Sequence, residues 1–362
     1  MSFLFRARVF LGKVRRRLNW RKLGIFAGCL LLFVIALEFM KTGAGALSPI
    51  LTEWLKVDNP INSLGFGWLA SYLVLGGSPV AASALTFLNE STINAASAFA
   101  MISGSRLGAS SVVLIIGFIY ILRGHERGTS LITGLLALVV TASVYLFALP
   151  MGLWLIGMDL PIFTPEMNGA AGESMLVMVL GLPVEFAEQF LPEWALFLVG
   201  LGLIITSLNL FDQALPELNL EDSVFSGINR LLYRPLLVFF LGFTLTLVTM
   251  SVSVSLGLLV PLSVRGYIRR ENLISYIMGC NVSTFIDTLI AGVLIGNPAA
   301  ASVVIVQMLT VMLVSAVIIL LFFGAYERAV LRIVLWLEKS RLRLIVFFVS
   351  MVLIPVGLIV IF

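Results

Sequence analysis

The sequence predicts an all-α polytopic membrane protein, built as two inverted-topology repeats with re-entrant hairpins. Three observations carry this. Of the 362 residues, 60% are hydrophobic and only 12% charged, against roughly 25% charged in a soluble domain. Apolar runs of about 18 or more residues recur along the chain, the length a helix needs to cross hydrocarbon. Finally, a shift of 175 residues superposes two stretches whose flanking loops carry opposite charge.

Helices are the expected spanning element. An open strand edge would leave backbone groups unpaired in lipid, and the runs lack the alternation of an outer-membrane barrel. Cys29 and Cys280 fall inside apolar segments, where a structural disulfide is not expected. The single histidine, His125, stands in a short charged loop without companions for a metal site.

Residues 1–23 form a basic N-terminus carrying Arg6, Arg8, Lys13, Arg15, Arg16, Arg17, Arg21 and Lys22, with no acid. The positive-inside rule keeps such an end in the cytoplasm. The apolar run 24–40 follows. The small residues of GAGALS after it suit a signal-peptidase site, but the run has a counterpart in the second half and is read as a retained helix. Further apolar segments are expected at about 61–89, 97–122, 129–157, 174–190, 195–211, 235–262, 272–296, 301–324 and 344–362. Arg123, His125, Glu126 and Arg127 mark a cytoplasmic loop, and Asp159, Glu166 and Glu173 an external one. Arg265, Arg269 and Arg270 mark a cytoplasmic turn. Arg328, Arg332, Lys339 and Arg343 are expected on one face of a helix along the membrane surface. These sides agree only if 61–89 and 235–262 enter and return as hairpins and 174–190 does not fully cross.

The first repeat spans 24–190 and the second 191–362. Residues 73–117 align with 248–292 without a gap, with Ser78/Ser253, Ile93/Ile268, Ile102/Ile277, Gly104/Gly279, Leu114/Leu289, Ile115/Ile290 and Gly117/Gly292 identical. Charge gives the alignment its meaning. Segment 90–96 carries only Glu90, whereas 265–271 carries three arginines; 150–168 is acidic, whereas 325–343 is basic. Equivalent loops on opposite sides of the membrane are what inversion requires.

Each half also holds a run of small polar residues. The first is Gly76-Gly77-Ser78-Pro79-Val80-Ala81-Ala82-Ser83; the second is Met250-Ser251-Val252-Ser253-Val254-Ser255, followed by Gly257 and Pro261. Glycine and proline inside an apolar run should break the helix and free backbone groups, tolerable at depth only beside a cavity or ligand. Two readings stand: close helix packing, or paired breaks that line a binding site. The cluster Asn89, Glu90, Ser91, Thr92 and Asn94 reads instead as a solvated, capped helix start.

A second element follows each run: Gly104-Ser105-Arg106-Leu107-Gly108-Ala109-Ser110, and Gly279-Cys280-Asn281-Val282-Ser283-Thr284. Here the chain resembles the type II sodium–phosphate cotransporter family, which carries a QSSS-type and then a GANIGTT-type run in each of two inverted repeats. LTLVTMSVSVSLGLLVPL stands where that family has a pattern like LTALVQSSSATTVMLVPL, and MGCNVSTF stands for LGANIGTT. The resemblance covers 248–292 and, more faintly, 73–117. Met250 and Leu75 replace the family glutamines, and Arg106 stands where Asn is expected. The resemblance implies sodium-coupled symport of inorganic phosphate, or a related small anion, through two re-entrant hairpins. It turns Ser78, Ser253, Asn281, Ser283 and Thr284 toward substrate and Ser251 and Ser255 toward Na+.

Arg106 and Asp287 sit well inside apolar helices, where a charge costs at least about 2.5–3.5 kcal/mol and normally faces a cavity or partner. They are expected either as an Arg–Asp pair locking two helices, or with Arg106 on the anion and Asp287 on Na+. No GxxxxGK phosphate loop, HExxH, GxSxG or paired catalytic acids occur, so a gradient-driven transporter is expected rather than an enzyme or a nucleotide-driven pump. No cofactor beyond Na+ as coupling ion and no nucleic-acid partner is expected. The bilayer of the cell membrane is the expected setting. The competing readings are a transporter or channel for another solute, and a non-transporting scaffold on a degenerate transporter fold.

Overall fold

A computed structural model describes residues 20–57, 59–122, 127–158, 182–214, 234–249, 255 and 270–361. These are mostly helical, joined by short turns, with no strand among the described residues. Six helical stretches among them are long and apolar enough to cross a membrane: Gly28–Leu47, Leu131–Ile156, Glu193–Leu210, Asn272–Leu294, Pro298–Glu338 and Arg341–Ile361. The chain is therefore an all-α, multi-pass membrane protein.

Helix α1 (Trp20–Ala44) ends in a 3-10 turn and a π turn at Ile50–Trp54. Asn59 then caps α2 (Pro60–Val74), accepting from the amides of Ile61 and Asn62. The apolar segment 61–89 is not one helix. Leu75, in left-handed conformation at φ 53°, closes α2, and α3 (Ser78–Asn89) starts three residues later with Pro79 in its first turn. That conformation costs a residue with a Cβ about 1–2 kcal/mol, so the reversal is held by its surroundings. The Gly76 amide donates back to Ser71 O, and Gly77 lies against Ser105 O and the Ala109 side chain of the next helix.

That next helix is α4 (Ala95–Leu122), capped by Asn94, whose Oδ1 accepts from the Ser97 amide at 2.8 Å. The polar cluster at 89–94 is thus the capped helix start that its composition suggests. The sequence expectation that part of the helix 97–122 unwinds at the site fails, since α4 runs unbroken, Gly104–Ser110 included. Its glycines serve contact instead: a Cβ on Gly104 would strike Leu64 O, and one on Gly108 would strike Ser71 and Trp68 O. Small residues let two backbones approach where lipid supplies no hydrophobic drive.

Helix α5 (Arg127–Ile156) packs against α4 and is largely buried, with Leu135, Leu136, Val140 and Val144 in the core. Residues 182–188 form a short helical piece, and the rest of 174–181 lies outside the described residues. Helix α6 (Glu193–Ala214) lies along α1. Helix α7 (Pro235–Thr249) lies along α8 (Arg270–Ser283). Between them only Ser255 is described, so most of the expected hairpin 235–262, with Ser251 and Ser253, lies outside the described residues.

A break at Thr284–Phe285 separates α8 from α9 (Ile286–Leu294). Ser283 bonds back to Gly279 O, and Phe285 turns to φ −85°, ψ −1° before Leu289 N resumes the ladder on Phe285 O. Helix α10 (Pro298–Val317), a π turn at Ile318–Phe322 and α11 (Phe323–Glu338) make one run. Helix α12 (Arg341–Ile361) closes the chain and packs on α2. Arg343 therefore does not share a helix with Arg328 and Arg332. It belongs to α12, folded back so that its guanidinium covers the Trp336 ring at 4.4 Å.

One packing detail recurs. Gly67 of α2 meets Met101 O of α4, and Gly242 of α7 meets Tyr276 O of α8. Gly104 meets Leu64 O and Trp68 N; Gly279 meets Phe239 O and Phe243 N. Each residue of the second set stands 175 positions after its counterpart in the first.

Candidate functional site

Arg106 reaches from the middle of α4 to two helix starts. Its Nη1 donates to Ser78 Oγ, at the first residue of α3, over 3.2 Å. Its Nη2 donates to Thr288 Oγ1 of α9 at 2.6 Å and lies 3.5 Å from Asp287 Oδ1. The Arg106 and Asp287 side chains are 5% and 3% exposed, so both charges are sequestered. The direct pair is longer than the roughly 2.7–2.9 Å of a strong charge-assisted bond. The Thr288 hydroxyl bridges the gap, taking a proton contact from Arg106 and donating to Asp287 Oδ1 at 3.0 Å. That same oxygen accepts the Thr288 amide at 2.5 Å. A carboxylate in the first turn of α9 also meets the favourable end of the helix dipole.

The break that frees α9 supplies the floor. The Phe285 ring lies under the guanidinium, 4.9 Å from Cζ to centroid, a cation–π contact strengthened by the dry setting. The Tyr145 ring of α5 stands 6.4 Å from Phe285. Three buried polar atoms here have no partner among the described residues: Arg106 Nε, Asp287 Oδ2 and the Tyr145 hydroxyl. Buried groups left so cost about 1–3 kcal/mol each, more when charged. The cluster thus offers donors suited to an oxyanion and oxygens suited to a cation.

Of the sequence-predicted residues, Arg106, Ser78 and Asp287 come together. Asn281 does not join them; its side-chain amide pairs with the Thr141 hydroxyl of α5 at 3.1–3.2 Å. Ser283 is turned back onto its own helix, and Thr284 is buried at the break. Ser255 belongs to a separate knot, accepting from Thr246 at 2.7 Å and meeting Tyr276 Oη at 2.9 Å and Cys280 Sγ at 3.3 Å. Ser251 and Ser253 lie outside the described residues.

Sequence reasoning missed Thr288, Phe285 and Tyr145. Thr288 had a signal, as the hydroxyl next to the one acid in an apolar helix. The aromatic pair had none, since such residues are common throughout this chain. A second buried polar contact also went unread: Ser103 of α4 lies 3.0 Å from Gln307 Oε1 of α10, and Gln307 Nε2 has no partner among the described residues. Compared with known proteins, the chain matches no family model, no curated protein and no solved structure.

Proposed function

We propose that this chain is a secondary transporter that carries a small oxyanion, inorganic phosphate first among the candidates, with Na+ as coupling ion. The observation that carries the reading is a buried Arg106–Asp287 pair left incomplete, with one atom of each charged group unpartnered among the described residues. Charge at membrane depth is costly and is kept where it meets a substrate or ion path. The resemblance of 248–292 to the sodium–phosphate cotransporter runs points to the same chemistry. Arg106 binds the anion, its planar fork matched to two oxygens, while Asp287 attends the cation.

We further propose that the two halves are inverted repeats. The glycine contacts that recur at the 175-residue spacing support a repeat, and the opposite loop charges support its inversion. Helices α2 and α3, of 15 and 12 residues, reach only about 18–22 Å at 1.5 Å per residue. That is short of the ~30 Å hydrocarbon core, which favours a hairpin that enters and returns. The basic first segment supports a cytoplasmic N-terminus, and the cell membrane is the setting of this reading.

The deciding experiment is uptake of labelled phosphate into proteoliposomes with and without an inward Na+ gradient. Gradient-dependent accumulation is expected; equal uptake in both, or none, removes the symport reading. In whole cells, single cysteines at positions 166 and 332 should label from opposite sides, and labelling from one side removes the inversion.

A further inference from the structure

The oxygens that hold the Arg106 guanidinium are those a bare cation would use. Ser78 Oγ and Thr288 Oγ1 accept from its two Nη atoms, and Asp287 Oδ1 lies 3.5 Å from Nη2. All are hydroxyl or carboxylate oxygens, the donor set that suits hard cations. Asp287 Oδ2, buried and without a partner among the described residues, adds one oxygen that the guanidinium does not fill. A locked Arg–carboxylate pair engages both oxygens through two parallel bonds. Here one Nη meets one oxygen at long range, while Arg106 Nε has no acceptor among the described residues.

We propose that Arg106 is a tethered cation occupying the coupling-ion site formed by Asp287, Thr288 and Ser78, and that a small oxyanion draws the guanidinium away so that Na+ takes its place. The inference rests on the transporter reading and adds how the two ions are coupled. In the empty site, Arg106 neutralises Asp287. In the full site, the anion neutralises Arg106 and Na+ neutralises Asp287. Binding the anion alone strips Asp287 of its counter-charge, and binding Na+ alone must evict the guanidinium into apolar surroundings. Either half-filled state leaves an uncompensated charge at membrane depth, which is strongly disfavoured. Each ion therefore binds weakly without the other, and only the empty or the full carrier passes through its dry intermediate.

The test is equilibrium binding of radiolabelled inorganic phosphate to the full-length protein in detergent, in Na+ and in choline at one pH. Wild type is expected to bind phosphate about tenfold or more tighter in Na+, within the usual range of coupling between sites. Asp287→Asn should bring that ratio close to one, because the neutral side chain no longer needs a cation when Arg106 leaves. Thr288→Val and Ser78→Ala, which keep every charge and remove one cage oxygen each, should lower the ratio to intermediate values. They carry the test if Asp287→Asn does not fold. A full-size Na+ effect surviving in these variants overturns the tethered-cation proposal and leaves the oxyanion site standing. Absence of phosphate binding by wild type in either medium removes the transporter reading, and the proposal with it.

Discussion

Helix α4 runs 28 residues without interruption, whereas the matching apolar stretch in the second half is divided into α8 and α9. Both present a charge to the same point, by different means. A guanidinium on three methylenes reaches sideways from an intact helix, so Arg106 needs no local disruption. A carboxylate is short and demands donors. Asp287 finds them at the start of a new helix, where the Thr288 amide is free to bond it. The difference teaches that the break belongs to the acid, and that glycine alone does not open a membrane helix.

The largest effect expected from disturbing this arrangement is at its charges. Arg106→Ala leaves Asp287 buried and unpaired, which should destabilise the protein by about 3–5 kcal/mol, read as lost monodispersity and earlier thermal unfolding in detergent. The double change Arg106→Ala with Asp287→Ala should restore folding but not phosphate uptake. Recovered uptake would reduce the pair to a lock between α4 and α9.

Below the charges come the glycines, where the two halves are alike. Gly104→Ala and Gly279→Ala each drive a Cβ into a backbone carbonyl oxygen, of Leu64 and Phe239 respectively. Both should cost roughly 1–3 kcal/mol, the range for overpacking, and by similar amounts. Thermal unfolding of the two variants side by side gives the answer, and a clear inequality would end the likeness of the two contacts.

The smallest effect separates the helix starts. Asn94 caps α4 through its side chain, while Phe285 at the start of α9 makes no side-chain cap bond. Asn94→Ala should cost about 1 kcal/mol, visible as faster hydrogen exchange in the first turn of α4. Exchange unchanged there would assign the hold on that turn to tertiary packing.

Much of the helical framework was legible because hydrocarbon tolerates few alternatives. The reversal between α2 and α3 was written in Gly76, Gly77 and Pro79, and the meeting of Arg106 with Asp287 in the scarcity of other membrane charge. What misled was the double use of small polar residues. Gly104 and Gly108 look alike whether a helix unwinds or lies close to a neighbour, and only the presence of α2 decides. Asn281 was drawn toward the site by motif position, yet Thr141 of α5 satisfies it, a partner 140 residues away that no local pattern announces. Arg343 was placed on α11 by helical spacing, which continues in sequence whether or not the chain turns at Ser340.

The run from Pro298 to Glu338 is 41 residues of continuous helix, about 60 Å at 1.5 Å per residue. Its first 20 residues already equal the ~30 Å of hydrocarbon, and the π turn falls at their end. Loosened turns of that kind are where long helices change direction. The run holds no non-helical linker, so a tilt begun at the Asn297 end passes along helix, with the π turn as its place to bend. A tilt not taken up there is delivered some tens of ångströms away at Glu338, or resisted where the Tyr326 hydroxyl grips Ser143 at 2.6 Å.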